Sequence, residues 1–126
     1  MAFQTEWIEE PHILGTTFDS SATIGELNSV MLQYISAAQK SPIYLLLDFN
    51  DINVPNRILS LPSLLQVVNH GNTRWLCVVK PEASSSYMTK LLTRDRVKMF
   101  RDRESAISFL RAMLRIDESE GFAYNV

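Results

Sequence analysis

The residues of this chain best suited to chemistry are oxygen-bearing and nitrogen-bearing side chains crowded into one short segment. In sheets with parallel strands, loops at the carboxyl ends of the strands are where ligands and partners bind. Asp and Asn also tolerate tight turns, so a purely structural loop has the same composition. Both interpretations stay open, and the candidate partner-binding residues are Asp48, Asn50, Asp51, Asn53, Asn56, Arg57 and Ser60.

The same segment resembles a calcium-binding loop, because acidic and amide oxygens alternate along it. The glycine and the closing glutamate that such a loop requires are missing, however. The two histidines, His12 and His70, have no Cys, His, Asp or Glu at metal-ligand spacing, so we expect ordinary hydrogen-bonded histidines. The sequence predicts no metal site and no cofactor.

A second polar group follows a predicted strand. Lys80 precedes a proline, and Ser84 and Ser85 open a predicted helix, whose backbone donors and dipole would favour an anion. The alternative function is therefore a domain that binds a small anionic ligand here. A lysine before proline is also similar to response-regulator receivers, but these need an acidic pair after their first strand, where Asp19 stands alone.

Cys77, the one cysteine of the sequence, is a candidate nucleophile, and it lies within an apolar run. A catalytic thiol needs a histidine base and an exposed, electropositive setting, so a small core residue is predicted. Four glycines supply no phosphate-binding loop, and two distant histidines supply no catalytic pair. We expect this protein not to be an enzyme.

Composition bounds the class of protein. The chain has 126 residues, a formal net charge of −2 and 46% hydrophobic residues, which suits one globular domain with an ordinary core. The charge argues against nucleic acid, and the longest apolar runs are too short to span a membrane. A lone cysteine and an N-terminus unlike a signal peptide favour the cytoplasm. The domain is predicted over residues 1–116, with a mobile tail at 117–126.

The pattern predicts an α/β fold with one mixed sheet. Strands at 3–8 and 12–18 form a hairpin, and Thr23 and Glu26 match a capping box that starts a helix ending at Ala38. Continuous apolar runs at 43–47 and 75–79 are typical of strands buried on both faces. A second helix is predicted at 61–68, with Ser60 as its cap and Pro62 in its first turn. Two more helices are predicted, one that begins at residue 84 and one that follows Asp102. A short strand is predicted at 97–100.

This order of elements resembles that of the STAS, or anti-sigma-factor antagonist, family, which has the SpoIIAA-like fold and is bacterial. The similar stretches are the capped helix at 23–38, the strand and loop at 43–49, and the closing segment at 100–110. In that family an aspartate ends the strand, as Asp48 does here, and a serine or threonine opening the next helix is phosphorylated by a partner kinase. The corresponding positions here are Asn56 and Arg57, neither of which accepts a phosphoryl group.

The resemblance implies a non-enzymatic regulatory domain that binds a protein partner. Its contact surface would centre on residues 48–57 and the start of the following helix. Because Arg57 is a permanent cation, the sequence predicts constitutive recognition, including self-association into a homodimer through a charge-assisted arginine contact.

Overall fold

The computed structural model describes residues 3–19, 23–49, 62–79 and 95–121, which form a five-stranded mixed sheet and three helices. The sheet order is β1-β2-β3-β4-β5, in which β1 is antiparallel to β2 and every later pair is parallel. The predicted α/β class is therefore confirmed. The elements are β1 Phe3–Glu9, β2 Ile13–Phe18, α1 Ile24–Ala38, β3 Ile43–Asp48, α2 Pro62–Asn69, β4 Thr73–Val79, β5 Val97–Phe100 and α3 Arg103–Ser119.

Helices cover the two faces of the sheet unequally. One face, which we call the α1 face, is covered by α1 and α2, which pack on side chains such as Leu45 and Leu76. The opposite face, which we call the α3 face, is covered by α3 alone among the described helices, and Leu110 of α3 packs with Leu46 and other residues of the sheet. Because successive strand residues point to opposite faces, β3 is buried on both sides. The continuous apolar runs predicted this arrangement, and Leu46 and Val78 are fully buried.

Local hydrogen bonds explain where the helices begin. Thr23 Oγ1 accepts from the Glu26 amide at 3.1 Å, and the Glu26 carboxylate accepts from the Thr23 amide at 3.0 Å, which confirms the capping box. Asp102 accepts from the Ser105 amide at 2.7 Å and caps α3, as predicted. Pro62 is the first residue of α2, where its missing N–H has no intrahelical partner to lose.

The predicted end of the last helix was wrong. The sequence predicts a break at Asp117, whereas α3 continues to Ser119 and Asp117 is buried. Asp117 follows Leu114 by three residues, so it falls on the inward stripe, and its carboxylate accepts a hydrogen bond from the buried Tyr44 hydroxyl. That partner offsets the cost of burying a polar side chain.

Two other predictions cannot be compared with the fold. The helix predicted from residue 84 and the last residues of the predicted tail, 122–126, lie outside the described residues. Within the described part of the chain, no helix combines the length and the apolar character needed to cross a membrane.

Candidate functional site

The carboxyl edge of the sheet on the α3 face holds a group of polar side chains around Arg103. The Arg103 guanidinium donates to Thr17 Oγ1 at 2.9 Å and to a Glu6 carboxylate oxygen at 2.9 Å, and its Nη1 lies 3.6 Å from Asp48 Oδ2. We call Glu6, Thr17, Asp48 and Arg103 the Arg103 cluster. It joins β1, β2, β3 and the first residue of α3.

Strand register brings this cluster together. Thr17 is the β2 partner of Asp48, so both side chains lie side by side on the α3 face. The cap at Asp102 starts α3 directly beside them, and hydrogen bonds from Ser105 hold the pKa of the Asp102 carboxyl below its ordinary value. Arg103 is therefore placed where one cation contacts two carboxylates, Glu6 and Asp48.

Asp48 is engaged in this cluster and is only 5% exposed. The contact with the Arg103 guanidinium holds the Asp48 side chain in place, which suits a positioning role. Across the described ranges, no group of three His, Cys, Asp or Glu side chains is arranged to hold a metal ion.

Arg103 is the residue that the sequence analysis missed. It lies in a charge run, Arg94 to Glu104, whose default interpretation is a solvated face. The structure instead half-buries Arg103 and gives it partners on three strands. A signal was present, since a basic residue directly after a helix cap faces the carboxyl edge when the helix packs on a parallel sheet.

Of the residues predicted to bind a partner, the structure places one. Asp48 lies at the end of β3, at the sheet edge where the predicted loop begins. The others, Asn50, Asp51, Asn53, Asn56, Arg57 and Ser60, lie outside the described residues, as do Lys80, Ser84 and Ser85 of the predicted anion site. Their roles stay predictions.

A chain of hydroxyl groups crosses the α1 face, from half-buried Thr5 to buried Thr16 and Tyr34. Thr5 Oγ1 lies 2.9 Å from Thr16 Oγ1, which lies 2.7 Å from the Tyr34 hydroxyl, and Tyr34 donates to the Leu46 carbonyl at 2.7 Å. Burial raises the pKa of Tyr34 far above its ordinary value, although the Thr16 hydrogen bond and the charge of Arg103 lower it slightly. Tyr34 thus stays a neutral hydrogen-bonding group.

Cys77 and the histidines behave as the sequence predicts. Cys77 is buried on the α3 face, and burial raises the pKa of its thiol to about 12, against a smaller lowering by Lys98. His12 Nδ1 donates to the Pro42 carbonyl at 2.9 Å, and His70 Nδ1 accepts from the Asn72 amide at 3.1 Å. Burial of Cys77 and the backbone hydrogen bonds of His12 and His70 are typical of residues with a structural role.

An open groove of about 550 Å³ lies between β1 and α1. Its strand side includes Phe3, Thr5 and Trp7, and its helix side includes Gln33 and Lys40. Trp7 is 41% exposed, which is a large apolar area for an edge strand. This groove is the second surface of interest.

Fold and cluster together define an α/β domain with a mixed sheet, in which an ion-paired aspartate ends a central strand. Comparisons of the chain with protein-family models, with curated proteins and with solved structures find no match.

Proposed function

We propose that this chain is a non-enzymatic protein-interaction domain with a regulatory role, similar to the anti-sigma-factor antagonists of the STAS family. Its partner binds the segment at 48–57 and the start of α2. The antiparallel hairpin, the parallel strands and the helices that follow them support the similarity in fold.

The observation that carries the proposal is the contact between Arg103 and Asp48. It fixes the residue from which the segment leaves the sheet, and it does so with a side chain that also contacts β1 and β2. Loops positioned by such a rigid scaffold are where proteins place their binding residues. A partner would therefore meet a segment whose first residue is already ordered.

The protonation states support binding over catalysis. Acids, bases and nucleophiles in active sites have pKa values close to the working pH. Here burial raises the pKa of Cys77 to about 12 and also raises that of Tyr34, so both groups are inert near neutrality.

Arg57 makes the interaction constitutive. In the family that the chain resembles, the corresponding region carries a serine or threonine that a partner kinase phosphorylates. A guanidinium cannot be phosphorylated there, and its fixed fork of donors suits a carboxylate on the partner.

The test compares two double variants with the wild-type chain in quantitative affinity purification from the cells that make it. Asp51→Ala with Arg57→Glu changes the segment, and Glu120→Ala with Arg111→Glu makes the same change of charge at exposed positions of α3 and its C-cap. Proteins retained by wild type and by the α3 variant, but lost from the segment variant, support the proposal. If the segment variant retains every protein that wild type retains, and melts normally, the working surface lies elsewhere.

A further inference from the structure

β1 forms one edge of the described sheet, and it is distinct in sequence from the segment at 48–57. β1 pairs with β2 on one side, and no other described strand pairs with it. Natural edge strands are protected by lysine, proline or inward charges, because an open edge is a template for another strand. The regular part of β1, from Phe3 to Trp7, carries one charge, Glu6, and that carboxylate is already paired with Arg103 at 2.9 Å.

Hydrogen bonding decides which residues of β1 point outward. The Tyr44 amide donates to the His12 carbonyl at 2.8 Å, so alternate residues of β2, including Leu14 and Thr16, direct their peptide groups toward β3. Gly15 therefore faces β1 and its partner Glu6. By the same alternation, the peptide groups of Phe3, Thr5 and Trp7 point away from β2, toward the open edge. Their side chains lie along the groove on the α1 face.

We propose that two copies of this chain associate through antiparallel pairing of their β1 strands, giving one continuous ten-stranded sheet. A two-fold axis makes such a contact self-complementary and closed. The proposal goes beyond the partner-binding segment, because it concerns another surface and another partner.

Charge and strand regularity select one register, with Thr5 opposite Thr5 of the second copy. This register pairs the whole regular part of β1 with itself and sets Gln4 opposite Glu6 of the second copy, where the amide donates to the carboxylate. A shift of two residues one way places Glu6 opposite Glu6, which is unfavourable. A shift the other way leaves only three residues of the described strand in register. The irregularity between Trp7 and Glu9 ends the regular edge.

The same register gives the exposed Trp7 a partner. It places Trp7 opposite Phe3 of the second copy on the α1 face, and the two-fold axis repeats the pair. Aromatic cross-strand pairs add stability beyond the area they bury, so Trp7→Ala should weaken the dimer roughly tenfold. Ile116→Ala is the matched control, since Ile116 is 48% exposed and belongs to α3, not to β1.

Sedimentation velocity tests whether the backbone of β1 makes the contact. The wild-type chain should show a dimer whose proportion rises with protein concentration up to roughly 500 µM, a range that detects dissociation constants of about 1 mM or tighter. Thr5→Pro removes an outward N–H and should give a monomer. Thr5→Ala loses the same hydrogen bond to Thr16 but keeps that N–H, so it should still dimerise. A monomeric wild type, or a folded Thr5→Pro variant that still dimerises, would overturn the proposal.

Cysteine cross-linking tests the register and does not depend on the proline variant. Buried Cys77 is the one native cysteine, and its raised pKa keeps it out of the reaction. Mixed Gln4→Cys and Glu6→Cys chains should form a disulfide with each other, since opposed residues lie about 4.5–5.5 Å apart between Cα atoms, within disulfide reach. Cross-linking of Gln4→Cys, which keeps the Glu6 carboxylate, with itself in preference to the mixture would refute this register.

Discussion

The Tyr34 hydroxyl links α1 to the sheet, and its removal tests the packing of the α1 face. Tyr34→Phe keeps the ring and deletes one oxygen, which donates to the Leu46 carbonyl and lies 2.7 Å from Thr16 Oγ1. Thr16 keeps its contact with Thr5, whereas the Leu46 carbonyl loses a side-chain donor. The change is confined to the hydroxyl chain.

The magnitude follows from the burial of these groups. A net intramolecular hydrogen bond contributes about 1 kcal/mol, and a buried group left without its partner costs about 1–3 kcal/mol. We expect Tyr34→Phe to lower the free energy of unfolding by about 1–2 kcal/mol near neutral pH. For a domain of this size, each kcal/mol lowers the melting temperature by about 4 °C.

The pH dependence has a definite sign. Burial raises the pKa of folded Tyr34 above the unfolded value of about 10, so the folded state favours the neutral phenol. This contribution is fully present below about pH 10 and is lost as the pH rises toward the folded pKa, at about 1.4 kcal/mol per pH unit. The phenylalanine of the variant cannot ionise, so its free energy of unfolding lacks this dependence on pH. The difference in free energy of unfolding between wild type and the variant should therefore approach zero near about pH 11.

Urea unfolding of wild type, Tyr34→Phe and Thr16→Val at several pH values measures these differences. Thr16→Val is the control, because it removes another hydroxyl of the same hydrogen-bonded series but keeps Tyr34. Its difference from wild type in free energy of unfolding should therefore not change with pH. Other titrating groups cancel in each comparison with wild type. A Tyr34→Phe variant as stable as wild type near neutrality, or a deficit that stays constant up to about pH 11, would contradict the described packing.

Three further predictions concern other parts of the chain. Arg103→Met should destabilise the domain by about 1–3 kcal/mol, and Asp48→Asn in the same chain should recover part of this loss, as a double-mutant cycle would show. Folded Cys77 should react with a thiol reagent near about pH 8 at least a hundredfold more slowly than the urea-unfolded chain, because burial suppresses its thiolate. If the predicted anion site exists, phosphate or nucleotides should raise the melting temperature of wild type but not of Lys80→Ala.

Features that depend on neighbours in sequence could be predicted. The capping box at Thr23 and the cap at Asp102 each need a donor three residues away, so the sequence contains the whole interaction. Continuous apolar runs predicted the buried strands. The predicted start of β4 at Trp75 was two residues late, because the strand begins at Thr73. Arg74 is 2% exposed within that strand, which no apolar pattern indicates.

Contacts between distant residues could not be predicted. The Tyr44 hydroxyl reaches Asp117 across a sequence separation of 73 residues, and the pairing depends on how far α3 extends along the sheet. The contact of Arg103 with Asp48 depends on the register of β2 with β3, because a one-residue slip would move Asp48 to the other face. Charge patterns in the sequence contain no information about that register.

The position of Arg103 also makes the proposed binding surface depend on the docking of α3. The helix is held against the sheet by Ala106, Leu110 and Leu114, and only in that position does its first residue reach Asp48. A cavity-forming change such as Leu110→Ala would loosen this contact although Leu110 is not itself a member of the Arg103 cluster. Weaker partner binding in a folded Leu110→Ala variant would therefore reflect a displaced anchor for the segment and not a lost contact with the partner.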